Sequence, residues 1–144
     1  MLEREVSSAF NTMFAEYGLL APINSAQAGW PDRLVQLANS VVVAVEIKLF
    51  QQLNNGSIRL AEFRPTQAAW LAKWQRNGGK CFLFMGILSY TSEFVGYAIL
   101  TVNHWKTWTT LPNCRMQLEE FDFVSNEDRV ILDWFRVYTE SAYA

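Results

Sequence analysis

A single histidine, His104, and two isolated cysteines, Cys81 and Cys114, are all that this chain offers to imidazole or thiolate chemistry. No second Cys or His stands at metal-ligand spacing from either cysteine, so both read as reduced, partly buried thiols. One imidazole cannot build a His-based metal site or supply a Ser-His-Asp triad with any redundancy. Its setting, VNHWKTW, looks like a boundary between surface and core. Nowhere do about 18 apolar residues run uninterrupted, which argues against a membrane span. The first residues, MLEREVSSAF, carry acids where a signal peptide would carry bases, and so point to an intracellular protein, in the cytoplasm. Charge is sparse at 18% of residues and sums to −2, which weighs against strong nonspecific binding of nucleic acid. Repeats, low-complexity tracts and linkers are absent as well.

What remains is a chain of 144 residues, 51% of them apolar, enough for one domain with a substantial core. Its charge is uneven. Residues 1–80 hold eight Lys/Arg against six Asp/Glu, a balance of +2, and residues 81–144 hold four against eight, a balance of −4. A bound divalent cation would make the first part more positive still.

Leu2, Val6, Ala9, Phe10, Met13, Phe14 and Tyr17 fall on one side of a helix over 2–17, with Gly18 as its C-terminal cap. LLAPIN has extended character and SAQAGWPD reads as loop. DRLVQLA (32–38) and residues 41–49 form a hairpin across Asn39-Ser40. QQLNNGSIRLAEF is a polar loop, and RPTQAAWLAKWQRNGG a helix with Pro65 in its first turn and Gly78-Gly79 at its end. KCFLFMGI is a buried strand, EFVGYAIL another, and HWKTW a short helix or turn. Ser125 opens an [ST]-x-x-[DE] capping box before the helix RVILDWFRVY. The order predicts a single α/β domain with a central mixed sheet flanked by helices.

The strand VVVAVEIKLF raises the chemical question. Side chains alternate along a strand, so Val41, Val43, Val45, Ile47 and Leu49 form one apolar face. Val42, Ala44, Glu46 and Lys48 share the other, and a buried unpaired charge there costs several kcal/mol. One explanation is a strand that reaches the surface, with Glu46 and Lys48 as a solvated pair. The other begins with Asp32, at the start of the preceding strand, which the hairpin can bring beside Glu46. Two carboxylates plus the Ile47 carbonyl make a hard oxygen set of the kind Mg²⁺ or Mn²⁺ takes. An ammonium close by can orient water or offset charge building on a phosphate.

Pro31-Asp32, thirteen residues, then Glu46-Ile47-Lys48 resembles the PD-(D/E)XK nuclease pattern. The form Gly29-Trp30-Pro31-Asp32, with Gln67 early in the next helix, is similar to the VRR-NUC branch, which includes small phage nucleases and the catalytic domain of a Fanconi-associated repair nuclease. The resemblance covers residues 1–87 and implies a restriction-endonuclease-like core, with residues 88–144 as a C-terminal aromatic-rich extension. It implies that Asp32 and Glu46 ligate Mg²⁺ (Mn²⁺ substituting), that Ile47 adds its carbonyl, and that Lys48 positions the attacking water. An acid of the first helix would complete the site. Glu3 matches best and Glu5 is the alternative. Gln67 shares a helical face with Leu71 and Trp74 and should point inward, where its amide needs partners; bonding to its own helix backbone is the plainer reading. Lys73, Arg76 and Lys80 can touch phosphates or simply be solvated.

The extension's aromatics (Phe94, Tyr97, Trp105, Trp108, Phe121, Phe123, Trp134, Phe135) can stack on bases, but their acidic setting favours core or subunit interface. The function implied is a Mg²⁺-dependent DNA endonuclease leaving 5′-phosphate and 3′-hydroxyl ends. It would be structure-selective for branched DNA or Holliday junctions in replication, repair or recombination, plausibly phage-encoded, and homodimeric for paired cuts. A noncatalytic nucleic-acid or protein-binding module on a nuclease-like fold is the alternative, and retention of Asp, Glu and Lys together weighs against it. A sequence-specific restriction nuclease ranks third, because the chain is short and shows no reading element.

Overall fold

The computed structural model describes residues 1–20 and 30–140. Most of the LLAPIN stretch and residues 25–29 of the expected loop SAQAGWPD (25–32), including Gly29 of the Gly-Trp-Pro-Asp run, lie outside them. Three helices surround a mixed six-stranded sheet, so the α/β expectation holds. In chain order the elements are α1 (Glu3–Met13), β1 (Gly18–Leu20), β2 (Arg33–Gln36), β3 (Val42–Gln51), β4 (Ile58–Arg59), α2 (Pro65–Arg76), β5 (Lys80–Leu88), β6 (Phe94–Leu100), β7 (Arg115–Met116), β8 (Phe123–Ser125) and α3 (Asp128–Glu140). The sheet runs β1-β2-β3-β5-β6-β8, and β4 pairs with β7 in a separate two-stranded ribbon. β3 and β5 are parallel, joined by the α2 crossover, and the other pairs are antiparallel. Among the described residues no helix is long and apolar enough to cross a membrane.

The alternation in β3 sorts the core into two layers. Val43, Val45 and Ile47 pack with Val6, Phe10 and Phe14 from α1 and the following turn, and with Ile131 and Phe135 of α3. Ala44 and Phe50 face the other way, toward Ala68 and Leu71 of α2 and Trp108 beyond it. Gly86 in β5 lets α1 settle onto the sheet, since a Cβ there would lie 2.7 Å from a Val6 methyl. That close approach holds the first turn of α1 over the sheet.

Several local expectations shift. The first helix stops at Met13, and Phe14 turns the chain out of helical geometry (φ −97°, ψ 21°). Its ring still packs edge-on to Phe135, 5.0 Å between centroids, so burial continues after the helix has ended. Gly18 opens β1 rather than capping α1. The polar loop after β3 includes β4, which the distant β7 pairs. Ser125 is the last residue of β8; its hydroxyl accepts the Glu127 N–H (3.1 Å), one residue before α3 begins. HWKTW forms a 3-10 helix at Trp105–Thr109, with the His104 ring nitrogen accepting the Lys106 N–H.

Residues 88–140 share the sheet and core of the residues before them. β6 pairs along β5, β8 pairs with β6, and α3 lies beside α1. Trp108 and Phe135 are fully buried and Tyr97 and Phe121 nearly so, whereas Phe94 is exposed. Most of the C-terminal aromatics therefore build core.

Candidate active site

Neither Glu46 nor Lys48 is a solvated strand-end charge. Glu46 is 1% exposed and Lys48 6%, and no ion pair joins them. β3 runs on to Gln51, so both charges lie well inside it.

The hairpin register explains how Asp32 reaches Glu46. Arg33 pairs with Val45 and Leu34 with Ala44, so continuing the antiparallel ladder sets Asp32 opposite Glu46 and Pro31 opposite Ile47. Proline has no N–H to give the ladder. The Ile47 N–H is taken instead by the Asp32 carboxylate, Oδ2 at 2.8 Å. A strand residue sends its N–H and C=O toward the same neighbour, so the Ile47 carbonyl also leaves on the side where β2 ends. Arg33 fixes that end: its Nε donates to Asn11 Oδ1 of α1 (2.8 Å) and its Nη1 to the Asp32 carbonyl (2.6 Å). This anchor went unnoticed in the sequence, although strand alternation already aims residue 33 at the α1 face.

On the opposite side Gln67 holds Glu46. Its Nε2 donates to Glu46 Oε1 at 2.9 Å, while its Oε1 accepts the Arg64 N–H at 3.0 Å. The two readings of this amide are both realised. The bond to its own helix start orients the head group, which leaves the amide N–H aimed at the carboxylate.

The other Glu46 oxygen, Oε2, is sealed from solvent and has no hydrogen-bond partner. Burial, then the contact and charge of Asp32, push the Glu46 carboxyl up to about 10; Lys48 pulls the other way, and Glu3 adds a smaller upward push. Ionised, two facing carboxylates can only accept, so either a proton on Glu46 or a cation must sit between them. The donor set at this point is carboxylate and carbonyl oxygen, which fits a hard divalent cation. Mg²⁺ sites use one or two carboxylates and fill the rest with water and substrate phosphate.

Glu3 is not drawn into this cluster. It is exposed on the first turn of α1, and among the described residues no group of three or more His, Cys, Asp or Glu is placed to hold a metal. Its influence on Glu46 is electrostatic. Glu5 is committed elsewhere, accepting the Leu2 N–H at its own helix start.

No protein-family model matches the sequence, and no curated protein matches it.

Lys48 has no hydrogen-bond or ion-pair partner among the described residues, and its ammonium keeps contact with solvent. It lies two residues along β3 from Glu46 on the same face, roughly 7 Å away at the strand's rise. The other sequence candidates disperse. Arg76 lies over the Trp105 ring (5.3 Å), Lys80 over the Tyr138 ring (4.3 Å), and Lys73 is exposed on α2. A cleft of about 510 Å³ adjoins the end of β3, lined by residues that include Leu49, Phe50, Arg59 and Glu62.

Proposed function

We propose that this chain is a metal-dependent nuclease with a restriction-endonuclease-like core, hydrolysing phosphodiester bonds in DNA. The observation that carries the reading is the buried Glu46 carboxyl, which has one oxygen sealed and partnerless and lies against the carboxylate of Asp32. A protein seldom buries an acid against a second carboxylate unless a cation or a shared proton compensates them. The helix, hairpin, crossover helix and parallel strand also occur in the order the PD-(D/E)XK resemblance implies.

In this reading Asp32, Glu46 and the Ile47 carbonyl would hold Mg²⁺ or Mn²⁺, and Glu3 would act on the site only through its charge. The ion supplies Lewis-acid polarisation of a phosphate oxygen and a more acidic bound water. Gln67 keeps Glu46 in one orientation, which a ligating carboxylate requires. Lys48, with its stem buried in the sheet, donates to the attacking water and offsets negative charge as the phosphorus becomes five-coordinate. Branched DNA is the favoured substrate, cut by a homodimer into 5′-phosphate and 3′-hydroxyl ends. A panel of junction, flap, single-stranded and duplex DNA in Mg²⁺, Mn²⁺ and EDTA tests this directly. Metal-dependent cleavage strongest on branched substrates supports it; cleavage undiminished by EDTA removes the mechanism.

A noncatalytic reading has one observation of its own. A proton shared by Glu46 and Asp32, with Gln67 bonded behind, would serve as a structural tie between β2, β3 and α2. The two readings part on the D32N variant.

A further inference from the structure

The β4–β7 ribbon places Arg59 directly opposite Arg115. Directly opposed residues of an antiparallel pair project from the same face with their Cβ atoms about 5 Å apart, and like charges so placed repel. Ile58, the neighbour of Arg59, is fully buried, so the arginine face is the outer one, and both arginines are exposed. Neither guanidinium has an ion-pair or hydrogen-bond partner among the described residues. The acids nearest in sequence do not neutralise them. Glu62 lines the same cleft as Arg59 without pairing to it, and Glu120 accepts the Gln117 N–H at 3.0 Å. The repulsion is therefore uncompensated among the described residues, and an anion between the two forks would relieve it.

The setting identifies the anion. Arg59 opens onto the 510 Å³ cleft whose wall includes Leu49 and Phe50, the residues that follow Lys48 in β3. A strand bound at the candidate site can run along such a wall, carrying one phosphate per nucleotide. Guanidinium pairs suit phosphate oxygens because each can donate two parallel N–H groups. We propose that Arg59 and Arg115 clamp a backbone phosphate of the DNA strand next to the one that is cut. The identity of the ligand rests on the nuclease reading. Arg115 comes from the C-terminal section, so that section, beyond completing the sheet, supplies a substrate contact that residues 1–87 lack.

The test is DNA binding in Ca²⁺, followed by anisotropy of a labelled oligonucleotide across a salt series, for wild type, R59Q, R115Q and R115K. R129Q, on exposed α3, serves as control. Each Gln variant should bind about 3- to 10-fold more weakly at low salt and flatten the slope of log K against log salt by about 0.7–0.9. R115K should keep most of the slope, and R129Q all of it. Without DNA, the thermal midpoint of R115Q should be unchanged or raised, since the opposed charge is gone. Wild-type affinity and slope in R115Q would overturn the clamp, as would a loss seen with RNA but not DNA. Because Ca²⁺ binding needs no turnover, the two ideas fail separately. Binding that depends on Arg115 without any Mg²⁺ cleavage keeps the clamp and removes the nuclease; cleavage with an unchanged R115Q slope does the reverse.

Discussion

Gln67 donates to Glu46 Oε1 at 2.9 Å and simultaneously accepts the Arg64 N–H at 3.0 Å, so one amide couples the start of α2 to the buried carboxylate of β3. Q67A would leave that carboxylate without its one protein donor. We expect a loss of about 1–2 kcal/mol in stability and a roughly 10- to 100-fold loss in Mn²⁺ affinity. Denaturant titration and calorimetry measure the two. Unchanged metal affinity would limit Gln67 to capping its helix.

Protonation of Glu46 makes a pH prediction with a definite sign. Its folded pKa, about 10, lies above the unfolded value of 4.5, so between these pH values the folded metal-free protein holds a proton that the unfolded chain lacks. The stability this group contributes is full below pH 4.5 and is lost progressively as pH rises toward 10. E46Q, whose amide can donate to Asp32 and accept from Gln67, should flatten that decline. At pH 8 we expect it to be more stable than wild type by about 2 kcal/mol. A variant less stable than wild type at every pH would contradict the assignment.

Metal binding must expel that proton, so affinity for Mn²⁺ should rise with pH through the neutral range, by up to about tenfold per pH unit. Calorimetry in two buffers of different ionisation enthalpy should report release of close to one proton per ion. Release of none would mean that Glu46 is already ionised or is not a ligand.

The sequence alone shows the β3 alternation: which residues face α1, which face α2, and that Asp32 meets Glu46 across a hairpin. The burial of Glu46 and Lys48 is not legible there, because it depends on α2 and on the chain after β3 folding back over that face. Apolar spacing overextends helix α1 for a related reason. Phe14 and Tyr17 keep that spacing, yet what they pack against is Phe135, more than a hundred residues later. Gln67 carried two competing readings because sequence shows one amide but not that its two ends bond different elements. The Arg59–Arg115 opposition was hidden altogether, since it arises from the register of two two-residue strands far apart in the chain.

Lys48 separates catalyst from scaffold. Its stem is buried and its ammonium unpaired, so K48M should leave stability within about 1 kcal/mol of wild type. Its single-turnover rate should fall at least roughly a hundredfold, about 2.7 kcal/mol of transition-state stabilisation. DNA affinity in Ca²⁺ should drop only modestly, as one cation among several is lost. K48R should not rescue, because a planar fork cannot replace a compact ammonium. Near-wild-type cleavage by K48M would remove Lys48 from the chemistry.

The most direct measurement compares wild type and D32N, purified in parallel, for cleavage of end-labelled branched DNA in Mg²⁺, with folding checked by thermal melting. Asn keeps an acceptor for the Ile47 N–H, held at 2.8 Å by Asp32, while removing the charge that opposes Glu46. A metal held by Asp32 and Glu46 requires cleavage by wild type only, abolished by EDTA, and a D32N melting temperature equal to or above wild type. Equal cleavage by the two proteins, or none by either, would contradict it. An unfolded D32N would identify the carboxylate pair as a structural tie.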